Sequence, residues 1–208
     1  MKHLLMLFVC AGPVFCDGQL IAGLSVNGSA QAVAAPGWPW IVSVAAFDVT
    51  GAEQPMPAGA VVEVAGADVM LTRHASLPIW TLPPGTDLKE GTYRVELRVA
   101  GLSRFAQIEI VKETGPGARE LVFSWWFAFQ GEPEKALGEV EAWIAKEPSS
   151  VAARVRQAEI LESLDRRPEA IAALEEADKL HRQGPNAKIR PVGIRRFLER
   201  LMGGPANN

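Results

Sequence analysis

Cysteine, tyrosine and histidine are scarce in this chain: two, one and three among 208 residues. Both cysteines, Cys10 and Cys16, lie near the start. The rest of the chain therefore has no disulfide and no thiolate metal site, and its stability must come from apolar burial. His3, His74 and His181 are far apart in sequence. No His-Glu-x-x-His pair, nucleophile elbow, phosphate-cradling glycine loop or cysteine cluster occurs. Gly115-Pro116-Gly117 lacks the lysine and the glycine spacing of an anion-binding turn and reads as a linker. The expectation is a non-enzymatic protein with no cofactor and no metal. A hydrolase would need the fold to bring His74 to a carboxylate and a hydroxyl. Charge of one sign is also short in supply. A formal net charge of -3 gives no global attraction to nucleic acid, so no such partner is expected.

Charge is nonetheless unevenly placed. Residues 114–182 hold nine Lys/Arg against thirteen Asp/Glu, whereas residues 183–208 hold five against one. Long apolar runs are missing too, apart from the start of the chain. There Met1-Lys2-His3 precedes an apolar stretch from Leu4 to Phe15, too short to span a bilayer and patterned like an export signal. Residues 1–18 are read as a signal peptide of bacterial type, which predicts a periplasmic or cell-surface location. Cys16 is the position a lipid anchor would use, although Pro13-Val14-Phe15 lacks the small residues such a cysteine normally follows. An apolar first strand is the competing reading.

Residues 19–113 carry strand signals: short β-rich runs between Gly, Pro, Asn and Asp clusters. Leu24-Ser25-Val26 meets Asn27-Gly28, which suits a tight hairpin. Further runs are Trp40 to Phe47, Gly59 to Val64 and Asp68 to Thr72. In Thr92 to Val99, Tyr93, Val95, Leu97 and Val99 alternate with Arg94, Glu96 and Arg98. That period predicts a sheet with one buried and one wet face. Ala106, Ile108 and Ile110 repeat it. An antiparallel β-sandwich of about seven strands is expected. Leu88-Lys89-Glu90-Gly91-Thr92-Tyr93 resembles the tyrosine corner of immunoglobulin-like and fibronectin-type sandwiches. The resemblance implies a hydrogen bond from the Tyr93 hydroxyl to the loop before it. It bears on fold and not on function.

Beyond the linker the period becomes helical. Arg119 to Gln130 ends at Gly131, Pro133-Glu134 opens a second helix, and Ser149 or Ser150 can cap a third. Pro168-Glu169 starts a fourth. Ala136 and Ala170 lie 34 positions apart, with Leu137 matching Ile171 and Val140 matching Leu174. This register over residues 118–182 resembles the tetratricopeptide family, whose paired helices need small residues at three close crossings. Those positions hold Ser124, Ala136 and Trp143 in the first copy and Ala158, Ala170 and Ala177 in the second. Trp143 departs from the pattern and implies a widened packing or an edge of the array. Residues 183–208 contain a basic amphipathic helix, Val192 to Met202, read as a cap over the last hairpin. Contact of this helix with anionic lipid is the alternative. The fold class expected is α+β by segregated domains, an immunoglobulin-like sandwich followed by tetratricopeptide-like hairpins.

The aromatic residues supply the candidate sites. Phe123, Trp126 and Phe127, with Trp143, are candidate partner-binding residues. Their helix is apolar almost all round and needs a second apolar surface, in the preceding sandwich or on another protein. Trp38, Trp40 and Trp80 are candidate sugar-stacking residues if they lie coplanar and exposed. The function expected is an exported, non-catalytic scaffold offering a helical-repeat surface to a protein or peptide. The resemblance to the tetratricopeptide family implies a concave surface for that purpose. The alternatives are a carbohydrate-binding sandwich with a helical extension, or an accessory subunit of an envelope complex. Membrane contact would run only through the lipid anchor or the basic helix.

Overall fold

The computed structural model describes residues 21–47, 50, 52–54, 56, 59–75, 77–99, 102–185 and 192–203. The signal reading of residues 1–18, with Cys10 and Cys16, lies outside them. The chain divides into two compact units, Met1–Thr114 and Gly115–Asn208. Strands fill the first and helices the second, an α+β arrangement with the two kinds of element segregated.

The strands are β1 (Ile21–Val26), β2 (Gln31–Ala34), β3 (Trp40–Phe47), β4 (Glu53–Gln54), β5 (Val61–Ala65), β6 (Thr72–Arg73), β7 (Ile79–Leu82), β8 (Gly91–Val99) and β9 (Leu102–Ile110). One sheet runs β1-β3-β7-β6, with β4 added beside the end of β3. The other runs β2-β9-β8-β5. All pairings are antiparallel except β2 with β9, which is parallel. A single core joins the inward side chains of both sheets: Val26, Trp40, Val42, Trp80 and Leu82 from the first meet Val95, Leu97, Ile108 and Ile110 from the second. Strand β8 buries Val95, Leu97 and Val99 while Arg94 and Arg98 stay outside, as its period of two requires. Strand β3 is buried along nearly its whole length, which suits an apolar run interrupted only by Ser43.

Asn27-Gly28 forms the expected tight turn but not the expected hairpin. Asn27 (φ 47) and Gly28 (φ 78) both take the left-handed conformation. Val26 and Ser29 exchange backbone hydrogen bonds of 2.7 and 3.0 Å. The flanking strands then separate, β1 pairing with β3 and β2 with β9, so the turn carries the chain from one sheet to the other. Buried Asn27 anchors this crossing: its Oδ1 accepts from Ile41 N–H at 2.9 Å and its Nδ2 donates to Pro39 O at 3.4 Å. At the far side of the sandwich sequence, the Tyr93 hydroxyl donates to Lys89 O at 3.0 Å. The Tyr93 ring meets Trp40 edge-on at 6.0 Å. The Asp68 to Thr72 run yields only the short β6, and residues 68–71 are irregular.

The second unit holds α1 (Ala118–Phe129), α2 (Pro133–Lys146), α3 (Val151–Ser163), α4 (Arg167–Gln183) and α5 (Val192–Leu201). Each helix packs on the next in sequence. The Ser150 hydroxyl caps α3 by accepting from Ala153 N–H at 3.3 Å. The α1–α2 and α3–α4 turns are built alike. Glu132 N–H donates to Phe127 O at 2.9 Å, with Gly131 at φ 77. Arg166 N–H donates to Leu161 O at 2.8 Å, with Asp165 at φ 59. Every member of the second set lies 34 residues after its counterpart in the first. Ser124, Ala136, Ala158, Ala170 and Ala177 are all at zero exposure, where helices approach closely. Helix α5 buries Ile194 and Leu201 in the same core, with Phe197 and Leu198 partly covered. Arg200 grips Glu162 through two nitrogens, and Arg167 Nε donates to Leu201 O.

Candidate interaction surface

The tryptophans proposed for sugar stacking do not form a platform. Trp40 opens β3 facing inward and is 1% exposed; Trp80, on β7, is 4% exposed. Both belong to the sandwich core, and Trp38 packs partly against it. A buried indole has its faces covered by side chains, so a sugar ring cannot reach it. Arg73 lies 5.3 Å from the Trp80 ring centroid and takes part in that enclosure. His74 is committed to a turn, where its Nδ1 accepts from Leu77 N–H at 3.1 Å.

Helix α1 distributes its aromatic residues over several sides. Phe127 packs partly into the helical core beside Ala128. Phe123 lies 6.3 Å from Phe127, with the Arg119 guanidinium 4.4 Å over its ring. Trp126 is half-buried, and Val122 is buried although it lies across the helix from Ser124. Trp143, grouped with these residues in the sequence reading, is 5% exposed and offers no free face. Its Nε1–H donates to Glu147 Oε2 at 2.7 Å. Its indole lies against Gly117, which precedes α1 with φ 71. The indole fits here because the chain facing it at Gly117 has no side chain.

Charged groups link α1 to α2 and α3. Buried Arg156 of α3 donates to the Ser124 hydroxyl at 3.1 Å and to Ser124 O at 3.2 Å. Its remaining nitrogen meets Glu159 at 2.8 Å. Burial lowers the Arg156 pKa, and Glu159 partly offsets this. Glu120, buried in the first turn of α1, accepts from Lys146 of α2 at 2.5 Å. Burial pushes its carboxyl up, but Lys146 and the amide at the start of the helix outweigh that and hold it below the usual range.

On α3, Ala152 is exposed and Glu159 and Glu162 are half-buried, while Val151 and Val155 pack against the helical core. Counting back 34 residues from Ala152, Val155, Glu159 and Glu162 gives Ala118, Leu121, Trp125 and Ala128 on α1, each half-buried. Leu121 and Trp125 are not among the candidate partner-binding residues read from sequence, although Trp125 belongs to the aromatic stretch from Phe123 to Phe129. The signal that finds them is the same 34-residue register, which sets Leu121 against Val155 and Trp125 against Glu159. An open groove of about 530 Å³ lies between the start of α3 (Ser149, Val151, Ala152) and the end of α4 (Leu180, His181, Gln183). Among the described residues, no three His, Cys, Asp or Glu side chains cluster to hold a metal. No described helix is long and apolar enough to cross a membrane. The sequence matches no protein-family model and no curated protein.

Proposed function

We propose that this protein is an exported, non-catalytic scaffold that binds a peptide or protein segment on tetratricopeptide-like hairpins carried by an immunoglobulin-like sandwich. The observation that carries the reading is the pair of matching interhelical turns 34 residues apart, together with five small residues at zero exposure. Two hairpins with one turn geometry and one period make a short array, fewer than the three or more repeats usual in such folds. The α5 cap supports it further, since a short array needs its open end covered. For the sandwich, the order β1-β3-β7-β6 opposite β5-β8-β9 follows the ABED and CFG order of the constant-type immunoglobulin fold. The Tyr93 hydrogen bond falls at the start of the strand corresponding to F, where that fold has its tyrosine corner.

The surface assigned to the partner is carried by α1 and α3: Leu121 and Trp125 for apolar contact, with Ala152, Glu159 and Glu162 from α3. Export rests on the charged start and apolar run of residues 1–18. The carbohydrate-binding alternative is not favoured, because it needs Trp40 and Trp80 exposed and both are buried.

The test selects peptides from a random displayed library against the mature chain. Selected binders should lose at least tenfold in affinity for a Trp125→Ala/Ala152→Asp variant whose helical circular dichroism and melting temperature match the parent. Failure to enrich any binder, or equal binding to the variant, would overturn the assignment.

A further inference from the structure

We draw no further inference here: the strongest candidate, the half-buried aromatic face of α1 around Trp125 and Trp126, is an apolar helix face for which nothing in the structure shows what covers it.

Discussion

Trp143 and Gly117 are matched as ring and gap: a Cβ built on Gly117 would lie 1.9 Å from the Trp143 Nε1. Gly117 also has φ 71, a conformation that L side chains rarely adopt. One residue thus starts α1 at the required angle and leaves room for the indole that closes α1 on α2. Gly117→Ala should therefore cost the helical unit about 2–4 kcal/mol, combining left-handed strain with overpacking. Urea unfolding followed by helical circular dichroism measures this. Removing the ring as well, in Gly117→Ala/Trp143→Ala, should cost less than the sum of the single changes. Strict additivity would mean the indole and the backbone do not meet.

The Arg156–Ser124 contact joins α3 to α1 through a charged donor and two oxygen acceptors. Ser124→Ala removes one of those acceptors and should cost about 1 kcal/mol. Arg156→Ala should cost more, about 2–3 kcal/mol, because it strips the buried Ser124 carbonyl of a charged partner and opens a cavity. Arg156→Met fills the same volume without burying a charge and should fall well below the alanine variant. A double-mutant cycle between positions 124 and 156 is expected to give a coupling of about 1 kcal/mol. Zero coupling would show that the two side chains are neighbours without interacting.

Sequence patterns exposed these elements unequally, and the reason lies in how local each signal is. Strand β8 and all five helices were readable because their faces repeat within a few residues. Strand β2 was missed: it is four residues long, and its partner β9 lies far along the chain. Strand β7 was hidden by Pro78 and Pro83, which look like breakers but bound the strand on either side. The Asn27-Gly28 pair foretold a turn but not its use, since pairing partners are chosen by the whole sandwich. The same limit affected the sites. Nothing near Trp40 or Trp80 distinguishes an inward from an outward indole until Val42 is placed opposite Trp80 across the strands. The place of Trp143 is not readable locally either, since the room for its indole is left by Gly117, which lies in the linker before α1.

Within the sandwich, Asn27 and Tyr93 both fasten loops to the framework, but they should differ in weight. Tyr93→Phe loses one neutral hydrogen bond at an exposed position and keeps the ring against Trp40. A loss of about 0.5–1 kcal/mol is expected. Asn27→Ala leaves the buried Ile41 N–H without its acceptor and forces alanine into a left-handed turn. A loss of about 2–3 kcal/mol follows. Thermal unfolding monitored by tryptophan fluorescence would rank the two, and the reverse order would show that the crossing between sheets is not held by the asparagine.

Acid should loosen the α1–α2 pairing through Glu120. Its carboxylate is buried, accepts from Lys146 and sits where the positive end of the α1 dipole favours negative charge. Its folded pKa is therefore held below the unfolded value near 4.5. A depressed carboxyl pKa means that the unfolded chain takes up the proton first as pH falls. The associated stability is complete well above pH 4.5 and is lost as pH falls through the unfolded and then the folded value. Lys146 is largely exposed, and solvent screens the pair. The contribution is accordingly about 1 kcal/mol and not the larger figure of a fully buried pair. Glu120→Gln keeps the shape and removes the titration, so the variant should be less stable at pH 7 yet lose less on going to pH 3. Denaturant midpoints at the two pH values give the comparison. Parallel losses in parent and variant would place the acid sensitivity at other carboxylates.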